Sequence, residues 1–296
     1  MSNFVRDFIL MTKPRVWTFL LITGIAGEVF SLSILRSPNL IGFVYVALYI
    51  AIGLMGSESL SNYIDLDIDK KMDRTKDRPL PSGKMSPKVA LIGGLILIAV
   101  TLILSYRQNI LSFIFMATGI IDYDVVYALL SKRRTPWNII LGAYSGGAPL
   151  LAGFYAFTFK FNPVIILWFF IIFAWTPLHI WSLAIRYRKD YRDASVPMLP
   201  VVYDTKKTMQ VLFPVSVLTS IFTILAGIYF MKYFQIYLGI AVMILYVFMA
   251  IYLMIGYLRA YLDPEKSIMK LFVSTNMFVG FFFLSVAIFS FLIPMT

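Results

Sequence analysis

Apolar runs of about 20 residues, the length a helix needs to cross a hydrocarbon core, recur along the chain. They fall near residues 16–35, 39–58, 88–106, 109–130, 137–157, 163–183, 211–230, 234–255 and 271–292. The polar stretches between them never exceed a loop or two. This pattern predicts an all-α, polytopic membrane bundle of about nine transmembrane helices surrounding a central cavity, with residues 1–296 as one integral-membrane domain. The first run is too long for a signal-peptide core and lacks a small-residue cleavage pattern, so it is expected to stay as an anchor.

Composition removes whole classes of function. The chain is 60% hydrophobic and 14% charged, with a mean hydropathy of +0.82, against roughly 25% charged for a soluble protein; a water-soluble enzyme is excluded. With no cysteine, disulfides, thiolate metal sites, iron–sulfur ligands and covalent haem attachment are excluded too. The only histidine, His179, rules out multi-histidine zinc sites and paired-imidazole haem ligation. Any metal should be a hard one held by oxygen.

With the N-terminus inside, 22 of the 26 Lys and Arg residues fall on the cytoplasmic side, a positive-inside asymmetry that supports the span count. The chain is therefore expected in the cell membrane, with N-terminus and acid-bearing loops cytoplasmic and the C-terminus outside. The formal charge of +11 is accounted for by topology and attraction to anionic lipid, with no nucleic acid as partner. Topology does not explain why two of the inside loops are long and hold Asp65, Asp67, Asp69, Asp73 and Asp77, then Asp190, Asp193 and Asp204. These loops follow the second and sixth spans, and each runs on to a proline pair, Pro79 and Pro81 or Pro197 and Pro200. Their equivalence suggests a four-helix repeat over 16–130 and 137–255, with 271–292 as a ninth helix.

If the second span continues as a helix, Asn62, Asp65 and Asp69 share one face with Glu58 one turn below, while Asp67 points away. Like charges stacked this closely repel, so a cation between them is expected, either the loop's own Lys and Arg or a divalent ion. Magnesium suits one or two carboxylates plus substrate phosphate oxygens, and Arg74, Lys76 and Arg78 follow where phosphates could be held. Lys132 and Arg133 close the fourth span at the same level. On a continuous sixth helix His179, Arg186, Asp190 and Asp193 form a second polar stripe. Asp122, Asp124 and Glu28 lie at membrane depth, where ionisable groups face a cavity or a partner. Tyr123 and Tyr127, one turn apart, could wall a cationic intermediate. Gly142 and Gly146 form a GxxxG, read as close helix packing.

The segment NYIDLDIDKKMDRTKDRPLPSG, from Asn62 to Gly83, resembles the acid-rich motif of the intramembrane UbiA prenyltransferases. Three further segments, Tyr127 to Gly153, Phe173 to Tyr191 and Val196 to Val202, are similar to the branch that farnesylates haem, as is the opening Thr12 to Gly24. Together they cover most of residues 12–202. Quinone-type members carry acids where this chain has His179 and Arg186. The resemblance implies transfer of a farnesyl or longer prenyl group from its diphosphate to a vinyl group of haem B, yielding haem O, with Mg2+ as cofactor and haem B as substrate. It implies Asp65 and Asp69 as metal ligands and catalytic groups, completed by Asp190. Asn62, Arg74, Lys76, Arg78, Tyr123, Tyr127, Lys132, Arg133, His179, Arg186 and Asp193 would surround the substrates. Haem A synthase or terminal oxidase assembly are candidate recipients of the product. Prenylation of a quinone, chlorophyll or lipid precursor is the rival within the class. A transporter is the rival outside it, disfavoured because the polar residues gather at the cytoplasmic ends and not at the midplane.

Overall fold

The computed structural model describes residues 2–293. A surface helix α1 (Ser2–Met11) leads into α2 (Pro14–Leu35), α3 (Leu40–Ile64), the short α4 (Leu66–Lys71), α5 (Pro87–Gln108) and α6 (Ile110–Ile120). The helix α6 runs without a break into a π-helix over Ile121–Ser131. Then come α7 (Asn138–Leu141), α8 (Ala143–Tyr155), α9 (Pro163–Arg186), α10 (Arg188–Asp193), α11 (Leu199–Val202), α12 (Thr205–Phe230), α13 (Ile236–Leu262) and α14 (Pro264–Phe291).

Local chemistry sets the ends of these helices. Proline occupies the first turn of α2, α5, α9 and α14, where its missing N–H costs nothing. Asn39, Ser86, Asn162, Asp204 and Asp263 accept from backbone N–H groups of the first turn. Among the described residues, eight helices are long and apolar enough to span a membrane, counting α6 with its π extension as one. The remaining expected span, 137–157, is present but broken at Gly142 into α7 and α8, with Pro149 inside α8.

Because lipid is as apolar as leucine, polar and small residues carry the contacts between helices. Ser59 donates to the Ala90 carbonyl (2.8 Å) and Thr101 to the Tyr49 carbonyl (2.9 Å), joining α3 to α5. The backbones of α2 and α8 touch where Gly24 and Gly27 face Leu150 and Gly153. The Gly142–Gly146 pair is tightly packed as well, but against side chains: a Cβ on Gly142 would lie 2.6 Å from Tyr127 Cβ, and one on Gly146 3.3 Å from Ile172 and Thr176. Away from the charged mouth, Phe30, Trp168, Phe230 and Tyr246 interlock. Large apolar side chains such as Ile41, Leu48, Ile244 and Phe281 cover the outside. A multi-pass membrane protein results.

Two features recur across the halves. Pairing of α3 with α5 is matched by α9 with α12, and α2–α3 by α8–α9. Each acid-bearing helix also breaks at one residue near φ −90 to −100°, Asp65 after α3 and Tyr187 after α9, before a six-residue helix.

Candidate active site

The break at Asp65 does not lose helical register, because Asp65 N–H donates to Ser61 O (2.9 Å) and Asp69 N–H to Asp65 O (2.8 Å). Asp65 and Asp69 therefore stay on one face and are buried, at 3% and 7% exposure, while Asp67 points outward. Ile68 and Met72 sink into the core on the other side of α4 and pin it. The Thr75 hydroxyl donates to the Asp69 carbonyl (2.9 Å), folding the following loop back over the site.

Asp65 and Asp69 each have a cation. Lys132, leaving the π-helix, binds Asp65 and sits 5.3 Å above the Tyr127 ring. Burial works against the Lys132 ammonium, but the charge and hydrogen bond of Asp65 together with the neighbouring Tyr127 and Tyr191 more than offset it and raise its pKa. Arg78 reaches Asp69 at 3.2 Å. The second Asp65 oxygen is buried and has no hydrogen-bond partner, an arrangement that costs about 1–3 kcal/mol unless something else binds it. Among the described residues no three His, Asp or Glu side chains converge into a ready-made metal cage. Two carboxylates with spare oxygens, ringed by cations, fit the magnesium pattern in which substrate phosphates supply the remaining ligands.

The loops meet through Arg74. Its backbone N–H faces Asp190 Oδ2 (3.4 Å), its guanidinium donates to the Tyr191 hydroxyl (3.2 Å), and it lies over the Tyr187 and Tyr191 rings. Asp190 is thus brought to the Asp65 side of the bundle. Register also survives the break at Tyr187, where Tyr187 N–H donates to Leu183 O (3.1 Å) and Tyr191 N–H to Tyr187 O (3.2 Å), yet of the expected sixth-helix stripe Arg186 and Asp193 are exposed at the surface. His179 sits apart from the acids, stacked between Trp175 (4.5 Å) and Phe272 (4.6 Å) and hydrogen-bonded to Thr275 (3.0 Å).

Other sequence candidates separate similarly. Lys76 is exposed and paired with Asp73 at 2.6 Å. Arg133 turns outward, making a two-pronged bond to Asp67 (2.6 and 2.7 Å) and one to the Ile64 carbonyl (2.8 Å). Asp67 and Arg133 line a cleft of about 570 Å3. The Asn62 amide is turned away from Asp65 and Asp69, donating to the carbonyls of Met11 (2.6 Å) and Glu58 (2.7 Å). Tyr123 and Tyr127 stack at 5.8 Å and 26°. Asp122 accepts from Ser145 N–H (2.9 Å). Glu28 and Asp124 are buried, with no hydrogen bond to either carboxylate. Sequence reading gave Lys13 no role beyond topology; it pairs with Glu58 at 2.9 Å, a partnership 45 positions apart that no local pattern announces.

The Arg133 hydrogen bonds hold the Asp67 carboxyl below its ordinary pKa. A carboxylate lowered in the fold adds stability that is complete above its unfolded pKa and vanishes as pH falls through the folded value. Half-exposed as it is, the pair contributes at most about 1 kcal/mol. Asp67→Asn should remove that increment at neutral pH and flatten the stability loss below about pH 4, while prenyl transfer stays within about twofold of wild type; detergent melts at graded pH measure the first and turnover the second.

Two buried carboxylates, each paired with a cation, thus sit together in an apolar helical bundle. Family comparison places this bundle. The UbiA prenyltransferase family matches residues 16–291, and the chain belongs to it; it is an intramembrane prenyltransferase. It is 37% identical to protoheme IX farnesyltransferase 1 of Picrophilus torridus over 287 residues, 97% of this chain and 95% of the relative. Protoheme IX farnesyltransferase of Thermoplasma volcanium is 36% identical over 294 residues, 99% of this chain and all of the relative. The fold is shared with a digeranylgeranylglyceryl phosphate synthase (TM-score 0.76, 19% identity, 98% of this chain and 99% of that one). It is shared also with a UbiA homologue from Archaeoglobus fulgidus bound to DMAPP and Mg2+ (TM-score 0.69, 18% identity, 95% and 99%).

Proposed function

We propose that this enzyme transfers the farnesyl group of farnesyl diphosphate to a vinyl group of haem B, water completing the hydroxyethylfarnesyl side chain of haem O. Full-length similarity to farnesyltransferases of protoheme IX supports the acceptor. The observation that carries the chemistry is the buried Asp65–Asp69 pair with an unpartnered oxygen and adjoining cations. Asp65 and Asp69 would hold Mg2+, which when bound supplies positive charge for the departing diphosphate.

This chain's own residues do the rest. Arg74, Arg78 and Lys132 stand where a diphosphate would enter, and a diphosphate offers them the charge that Asp65 and Asp69 now provide. Asp190 contributes from the other half by orienting Arg74. The Tyr123–Tyr127 pair presents ring faces to the developing allylic cation, and the apolar bundle keeps water from it. Both lipophilic substrates can arrive sideways from the bilayer. We place this mouth, with the N-terminus, on the cytoplasmic side of the cell membrane, a reading that the lysine and arginine bias supports. We read the matched pairs and matched breaks of the two halves as a four-helix repeat.

Incubating membranes with haem B, magnesium and prenyl diphosphates of graded length, followed by mass spectrometry of the extracted haem, tests the reading. Farnesylated haem O is the expected product. Haem left unmodified beside a prenylated quinone or lipid would reject it.

A further inference from the structure

Glu58 belongs to neither acid-bearing loop, yet Tyr123, Lys13 and Asn62 are all tied to it. It lies on α3 one turn below Asn62, 4% exposed. Its Oε1 accepts from the Tyr123 hydroxyl at 3.0 Å, and its Oε2 is 2.9 Å from the Lys13 ammonium. Lys13 itself adopts a left-handed backbone (φ 53°) at the elbow between α1 and α2, a conformation costing a non-glycine residue about 1–2 kcal/mol. Asn62 bonds the same elbow through the Met11 carbonyl. From Tyr123 the connection continues by stacking to Tyr127, over whose ring stands Lys132, the partner of Asp65.

We propose that Glu58 is a positioning residue: by clamping the Tyr123 hydroxyl and the Lys13 ammonium together, it holds the Tyr123–Tyr127 pair as a fixed wall that keeps water from the allylic cation. The geometry suits the task. A phenol hydroxyl buried without a partner would rotate its ring toward one, and a bare carboxylate beside an allylic cation would itself be a nucleophile. Hydrogen-bonded on one oxygen and ion-paired on the other, Glu58 anchors the ring while its charge is spent on Lys13.

The inference rests on the farnesyl-transfer reading and makes a separate claim about partition. When the C1–O bond of farnesyl diphosphate breaks, its electron pair leaves with diphosphate. The vinyl π pair then forms the productive C–C bond. If water intrudes instead, its oxygen bonds C1, its proton passes to diphosphate or solvent, and farnesol results.

Full-length wild type, Glu58→Ala, Glu58→Gln and Tyr123→Phe are assayed with farnesyl diphosphate and magnesium, with and without haem B. Haem O and farnesol are quantified per folded enzyme. Glu58→Ala and Tyr123→Phe should lower kcat for haem O about tenfold, leave KM for farnesyl diphosphate within about threefold, and raise the farnesol to haem O ratio at least about tenfold. Glu58→Gln, which keeps an acceptor for Tyr123 but loses the ion pair, should fall between. Without haem, Glu58→Ala and Tyr123→Phe should release farnesol faster than wild type. An unchanged partition and unchanged farnesol release in Tyr123→Phe and Glu58→Gln overturn the proposal, as does a rise in KM alone. A wild type that makes no haem O rejects the haem reading, and the haem-free farnesol rates then decide the positioning claim by themselves.

Discussion

Asp65→Asn and Asp69→Asn should each cut haem O formation at least about a hundredfold, the scale of removing one strong electrostatic contact from a transition state. Asparagine preserves volume and one acceptor oxygen, so the change removes the charge and one ligating oxygen without leaving a cavity. At Asp65 the change removes the counter-charge that keeps the half-buried Lys132 ammonium in place and leaves the spare oxygen neutral. At Asp69 it frees Arg78, and with it the loop that Thr75 folds over the site. The loss should be in kcat and in the magnesium concentration needed for half-maximal rate, with the amount of folded protein unchanged. Normal turnover by either variant in purified membranes would remove these carboxylates from the mechanism.

Gly153→Ala should rank with Gly27→Ala among the most destabilising single methyl additions. A Cβ there meets the Gly24 carbonyl, just as a Cβ on Gly27 would meet the Leu150 carbonyl across the α2–α8 crossing. Both obstacles are backbone within helices and cannot rotate aside, so the helices must part, at about 1–3 kcal/mol or more. Loss of close packing matters doubly in lipid, where no hydrophobic force restores the contact. Parting α2 from α8 also shifts the elbow that carries Lys13. Gly256→Ala is the control, since its nearest neighbour would be Ser274 Cβ at 3.5 Å, an ordinary contact. Thermal midpoints in detergent should fall clearly for Gly153→Ala and stay close to wild type for Gly256→Ala; equal midpoints would mean the crossing has slack.

The chain's periodicity determined a good deal. A backbone in hydrocarbon must satisfy its own hydrogen bonds, so long apolar runs become helices whatever surrounds them, and the eight uninterrupted spans follow directly. The helical spacing of Asn62, Asp65 and Asp69, with Asp67 set apart, was likewise legible, because 100° per residue decides which side chains share a face. Where helices break was not legible from the apolar pattern, which runs on through Gly142 and up to Tyr187, and His179 is held apart from Asp190 by its packing against Trp175, Phe272 and Thr275. Which of many arginines and lysines reach the acids was not readable at all. Arg78 and Lys132 turn in, while Lys76 and Arg133 find Asp73 and Asp67 outside. Pairing across 45 or 67 positions depends on how helices cross, and helix crossings in lipid are set by where small residues let two backbones touch.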